Sequence, residues 1–258
     1  MIRREVDRAR IREFCLRDPA RYAFYLGDLD EAEWDNSRFF AREVEGEIDE
    51  LMLIYLGLSL PSVQLFGRLG SLGESCLQFT PHLPEQFHLH CHNEDVSLLM
   101  KSLDLAEGGE LFRMHWRGYP KELRPSVASS RILGTEDLPD LCEFLRIAFP
   151  TAFFEPHQLG KALFTGCYLN KRLLACAGFH VLSYGEGVGV LGSIATHPDH
   201  RGRGLAASAT RRLMEEVEGS IPLLALNVHV HNTPAVALYR NLGFEEAFSY
   251  REASAKRL

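Results

Sequence analysis

Apolar residues recur along this chain in two rhythms, and their alternation marks out its helices and strands. Over residues 3–17, Val6, Ile11, Phe14 and Cys15 fall among charges at helical spacing, which predicts an amphipathic helix. Asp18-Pro19 interrupts it, and residues 21–29 predict a second short helix. Strand-like runs follow at 39–44, 51–58 and 62–66, with Gly46 and Pro61 at the turns. Then come a strand at 85–91, a short helix at 96–103 and a strand at 111–119.

The second half opens with a short strand at 131–133. Thr135 stands as N-cap of a helix reaching residue 148, with Leu138, Leu141, Cys142 and Leu145 on one face. Phe149-Pro150 stops it, and residues 157–163 predict another helix. Strands at 166–169 and 173–181 flank a two-residue Asn170-Lys171 turn. A strand at 188–196 feeds a glycine loop and then a helix carrying Leu205, Ala209, Leu213 and Val217 on one face. A buried strand at 223–230 follows. Thr233 and Pro234 open a short helix, Gly243 lies just past its end, and 244–256 offers a last strand.

The halves share a plan: helices, three strands, a helix, a strand. A tandem repeat of one α/β (α+β) fold accounts for this, although two unrelated α/β domains would look alike at this resolution. The polar segment 120–130 (PKELRPSVASS), with two prolines and a serine cluster, is the best linker. It divides the chain into domains 1–120 and 131–258, joined by 121–130.

Composition narrows the class. The chain has 258 residues, 46% hydrophobic and 24% charged, as in an ordinary globular protein. A net charge of −7 argues against a general nucleic-acid binder. The six cysteines show no C-x-x-C pairing and predict buried, reduced thiols. The charged N-terminus lacks a signal-peptide core, and no apolar run approaches the ~20 residues that span a bilayer. A cytoplasmic protein without membrane contact is expected.

The chemistry gathers at Arg201-Gly202-Arg203-Gly204-Leu205-Ala206. Backbone N–H groups bunch there at a helix start, where the helix dipole adds partial positive charge. Glycines let the main chain approach an anion closely, so the loop suits a phosphate or pyrophosphate. A solvated basic turn would read the same way in isolation.

A second motif, Leu226-Asn227-Val228-His229-Val230-His231-Asn232-Thr233-Pro234-Ala235-Val236-Ala237-Leu238-Tyr239-Arg240-Asn241-Leu242-Gly243-Phe244, follows one strand later. Together, from about residue 130 onward, the two resemble the GNAT superfamily of acetyl-CoA-dependent acetyltransferases. The first matches its Q/R-x-x-G-x-G/A loop and the second its strand–Asn–helix–Tyr–Gly-Phe segment. The resemblance implies an acyl-CoA N-acyltransferase-like mixed sheet flanked by helices, with two such domains in tandem and a degenerate first copy.

It further implies acetyl-CoA as co-substrate, with no metal. Ile194, Ala195 and Thr196 would pair with the pantetheine arm. Arg201, Gly202, Arg203, Gly204, Leu205, Ala206 and Ala207 would hold the pyrophosphate, and Asn232 would contact the cofactor arm. Tyr239, beside the sulfur, would give a proton to the departing thiolate. The acceptor would be a small-molecule or peptide amine, and the protein a monomer or homodimer. A non-catalytic acetyl-CoA-binding regulatory module is the competing reading.

In the first half the equivalent turn is expected at His92-Asn93-Glu94-Asp95, where carboxylates would repel a pyrophosphate. The general base is open: His180, Glu155 and a water relay all stand. His88, His90 and His92 alternate along a strand, either as zinc ligands or as a polar outward face. His229 and His231 share a face as structural residues or as the lining of an acceptor pocket. The chain has room for one strand after Phe244 where many relatives have two. Either the sheet ends early or the first domain completes its edge.

Overall fold

A computed structural model describes residues 2–67, 70–121 and 128–258. Most of the predicted linker, residues 122–127, therefore lies outside the described residues. The chain forms two compact units. The first comprises Met1–Met114, Val228–Thr233 and Glu246–Leu258; the second, His115–Asn227 and Pro234–Glu245.

The first half of the chain runs β1 (Ile2–Glu5), α1 (Arg8–Cys15), α2 (Ala23–Gly27) and α3 (Glu31–Trp34). Then follow β2 (Ser37–Val44), β3 (Glu47–Tyr55), β4 (Ser62–Gly67), α4 (Cys76–Phe79), β5 (Gln86–Cys91), α5 (Val96–Leu99) and β6 (Leu103–Trp116). The second half runs β7 (Arg131–Ile132), α6 (Leu138–Ala148), α7 (Gln158–Lys161), β8 (Phe164–Leu169), β9 (Arg172–Ser183) and β10 (Val188–Thr196). It ends with α8 (Leu205–Val217), β11 (Leu223–His229), α9 (Thr233–Asn241) and β12 (Phe244–Arg257). The element order repeats, down to a parallel pair in each half: β4 with β5, and β10 with β11.

Within the first unit the strand order is β1-β2-β3-β4-β5, followed by β12 and β6. The C-terminal strand β12 pairs antiparallel with β5, from Arg251↔Cys91 to Lys256↔Gln86. Phe87, Leu89 and Cys91 of β5 enter a core with Val63, Leu65, Phe79 and Leu99. The predicted helix over 3–17 is shorter and begins later. Asp7 Oδ1 accepts from the N–H groups of Ala9 (2.9 Å) and Arg10 (3.3 Å), so the helix starts there and residues 2–5 pair with β2. The helix predicted to reach 103 stops at Leu99, and Leu103 already begins β6.

Within the second unit the order is β11-β10-β9-β8-β7. Asn170 (φ 50°) and Lys171 (φ 64°) make the tight turn from β8 to β9. Two helices cover opposite faces. Thr165 Oγ1 donates to Ala209 O of α8 (2.7 Å), whereas its neighbour Phe164 packs with Leu141, Phe144 and Leu145 of α6. Asp137, rather than Thr135, organises the start of α6. Its carboxylate accepts from Gly134 N (2.9 Å) and from both terminal nitrogens of Arg131 (2.7 and 2.5 Å), which holds its pKa down at about 2.

Gly243 ends α9 at φ 93°, and Arg117 N donates to its carbonyl (2.9 Å). A methyl group at Gly243 would strike the Gly118 carbonyl. Gly243→Ala should therefore lower stability by about 2–4 kcal/mol, from left-handed strain plus the clash. Urea midpoints of the full chain measure this.

No helix among the described residues is long and apolar enough to cross a membrane. All six cysteines are free thiols; Cys142 is half-buried and the others are buried.

Candidate active site

Val188–Leu191 of β10 lie between two neighbours, antiparallel to β9 and parallel to β11. The β11 ladder stops at Leu191↔Leu226, but β10 continues against β9 as far as Thr196. Ile194, Ala195 and Thr196 thus carry a backbone edge that no described strand pairs with. A bulge produces the departure. Gly192 pairs with Gly178 and Ala195 with Cys176, so Ser193 and Ile194 together oppose Ala177. Ser193 takes a left-handed conformation (φ 50°), which costs roughly 1–2 kcal/mol for a residue with a Cβ. The Cys176 thiol donates to the Ser193 carbonyl (3.0 Å) and fixes the bulge from below.

Past Thr196 the chain makes one tight turn, Pro198–His200, with His200 N donating to His197 O (2.9 Å). Arg172 Nη2 donates to Nε2 of the buried His197 (2.7 Å), tying the loop entrance to the sheet. Gly202 (φ 73°) and Gly204 (φ 72°) then bend the chain into α8. The Ser208 N–H reaches back to Gly204 O (3.0 Å), which leaves the N–H groups of Leu205, Ala206 and Ala207 without a helical acceptor. Residues 201–204 are exposed, and neither Arg201 nor Arg203 forms an ion pair among the described residues. The Cys167 thiol donates to Leu205 O (3.5 Å) and, with the Thr165 bond, anchors the first turns of α8. The loop presents donors and positive charge on a rigid base.

Tyr239 lies on the buried face of α9 with Val236, 6% exposed, its ring 6.2 Å from that of Phe244 at a steep angle. Burial pushes its phenol well above the ordinary value, so it is protonated at neutral pH. Asn232 is exposed in the turn between β11 and α9, its N–H donating to His229 O (2.9 Å). Ile194–Thr196, Arg201–Ala207 and Tyr239 all fall in the second unit; Asn232 is counted with the first.

Sequence comparison matches residues 125–244 to the Acetyltransferase (GNAT) family. The chain is 33% identical over 120 residues to a [ribosomal protein bS18]-alanine N-acetyltransferase from Salmonella typhimurium, covering 45% of this chain and 80% of that protein. The chain belongs to the GNAT acetyltransferase family. Among solved structures, a Drosophila protein matches the fold with a TM-score of 0.72 at 13% identity, covering 98% of this chain and 97% of that one. A tandem GNAT protein from the clavulanic acid biosynthesis pathway matches at 0.57 and 13% identity, over 100% and 98% of the two chains.

Within this GNAT chain, the element order corrects one sequence expectation. The turn His92-Asn93-Glu94-Asp95 follows β5, so it corresponds to the turn after β11, not to the glycine loop after β10. In element order, the stretch between β4 and α4 stands where the glycine loop stands between β10 and α8. There Leu72 (φ −79°, ψ −17°) and Gly73 (φ 58°) form a right-then-left backbone pair that aims successive N–H groups at one point. The buried Asp95 carboxylate fills that point. It accepts from Leu72 N (3.0 Å), Gly73 N (2.9 Å) and Ser71 Oγ (2.5 Å). Asp95→Ala leaves these donors unpaired and should cost about 1–3 kcal/mol, read as a lower urea midpoint.

Two of the three alternating histidines, His90 and His92, meet side chains from other elements. The His90 ring contacts Gln64 Nε2 through Nδ1 (2.7 Å) and the Glu252 carboxylate through Nε2 (3.1 Å). His92 Nε2 meets Arg21 Nη1 (2.9 Å). Among the described residues no group of three His, Cys, Asp or Glu side chains is placed to hold a metal ion. Sequence reasoning overlooked the Gly192-Ser193 bulge, although a glycine inside a strand pattern is a recognised sign of one.

Proposed function

We propose that this protein is an acetyl-CoA-dependent N-acetyltransferase that transfers the acetyl group directly from the thioester to an amine. One observation carries the reading: β10 leaves β11 at a bulge and runs straight into the glycine loop that opens α8. Pantetheine is an amide chain, and the free edge of Ile194, Ala195 and Thr196 offers it alternating N–H and C=O groups. Gly202, Gly204, Leu205, Ala206 and Ala207 offer N–H groups to the pyrophosphate, and Arg201 and Arg203 add charge.

The same freed N–H groups of β10 would stabilise the tetrahedral oxyanion. Tyr239, protonated because it is buried, would give its proton to the departing thiolate. In this reading the repeats run 1–120 and 131–258, and only the second holds coenzyme. Asp95 supports that division, because it already occupies the anion point of the first repeat.

The acceptor is a small-molecule or peptide amine. The Salmonella relative, named for an alanine substrate, favours an α-amino group, which near pKa 8 is partly neutral at physiological pH. Coenzyme A release should be followed with an alanine-initiated peptide, a lysine side-chain analogue and a polyamine. Turnover on at least one is expected, fastest on the α-amine. Tight acetyl-CoA binding without release on any amine would instead identify a non-catalytic binding module.

A further inference from the structure

Strands β9 and β10 are both irregular at the same height. On β9, Val181 pairs with Val190 and Phe179 with Leu191, so His180 is the extra residue of a bulge. One step further along β10 comes the second bulge, with Ser193 in its left-handed conformation. The two face each other: His180 Nε2 lies 3.4 Å from Ser193 Oγ. The imidazole also occupies the space that a Cβ on Gly192 would need. His180 lies two residues past Gly178, the partner of Gly192, so its ring reaches diagonally over the glycine.

The face is also defined. Gly192 pairs with Gly178, and a Cβ on Gly178 would strike the Phe164 ring, which packs beneath α6 together with Cys176 and Ala195. His180 therefore stands on the α6 side of the sheet, beside the stretch Ile194–Thr196. Glu155, the carboxylate alternative, lies on the α6–α7 connection with its Oε2 3.6 Å from His157 Nδ1.

Building on the acetyltransferase reading above, we propose that His180 is the base that takes the proton from the acceptor amine. The amine nitrogen bonds to the thioester carbonyl carbon, and one of its protons passes to the His180 imidazole. The C–S bond then breaks, the electron pair leaves with sulfur, and the Tyr239 hydroxyl protonates the thiolate. Solvent returns the proton from the imidazolium to the tyrosinate, so the sum is amine plus thioester to amide plus thiol. Ser193 Oγ and the bare Cα of Gly192 hold the ring in place.

The test follows coenzyme A release with the best amine for the wild-type chain. His180→Ala should lower kcat/KM for the amine about 10²-fold while leaving acetyl-CoA affinity and melting temperature near wild type. Added imidazole should restore rate at least about tenfold over its own attack measured without amine. Gly192→Ala, whose methyl group takes the place of the ring, should show the same loss. Should the alanine variant fail to fold, His180→Gln carries the same test. Activity within about threefold of wild type, or a loss that imidazole does not restore, overturns the assignment. No turnover by the wild type on any amine overturns the acetyltransferase reading itself, and His180 with it.

Discussion

Tyr239→Phe should lower kcat by about 10²–10⁴-fold and leave acetyl-CoA affinity within about twofold. The substitution removes one oxygen and keeps the ring that packs 6.2 Å from Phe244 on the buried face of α9. Stability is therefore preserved, and the loss reports chemistry. The proposed mechanism needs a protonated donor beside a leaving thiolate. Burial supplies it by pushing the phenol well above its ordinary value. Steady-state kinetics under saturating acetyl-CoA measure the effect. An undiminished kcat would mean that solvent, not Tyr239, protonates the sulfur.

Gly204→Val should abolish coenzyme binding without unfolding the chain. Gly204 caps α8 at φ 72°, ψ 9°, where a β-branched residue is strained by at least roughly 1–2 kcal/mol. Residue 204 is exposed, so the strain is relieved by reshaping the loop, which turns the N–H groups of Leu205, Ala206 and Ala207 out of register. Acetyl-CoA at about 100 times its Kd should stabilise the wild type by ~2.7 kcal/mol, a rise in Tm of about 5–10 °C for a chain of this size. The variant should gain less than about 2 °C under the same conditions.

Much of this was legible in the sequence, for identifiable reasons. Apolar residues bounded by turn residues predict a strand at 188–196, and β10 spans those residues. Gly204 at the start of α8 and Gly243 after α9 take positive φ, a task that glycine performs without strain. What escaped was non-local. Val6 sits at helical spacing with Ile11, yet Asp7 caps the helix after it and residues 2–5 pair with a strand some forty positions away. Spacing along one strand likewise groups three histidines, but Gln64 and Glu252, which meet His90, and Arg21, which meets His92, come from distant segments. By charge alone, the carboxylates at residues 94–95 predict repulsion of an anion. In the fold Asp95 is itself the anion, seated on N–H groups that the sequence does not show converging.

The bulges at His180 and Ser193 are the clearest case. Each needs a register that only the paired strand defines. Gly192 hinted at one of them; nothing local marks the other.

Calorimetric titration of the full chain with acetyl-CoA counts its coenzyme sites directly. One site per chain is expected, lost in Gly204→Val and unaffected by Asp95→Ala. Two sites per chain, no binding, or a single site that survives Gly204→Val and disappears with Asp95→Ala would contradict this expectation.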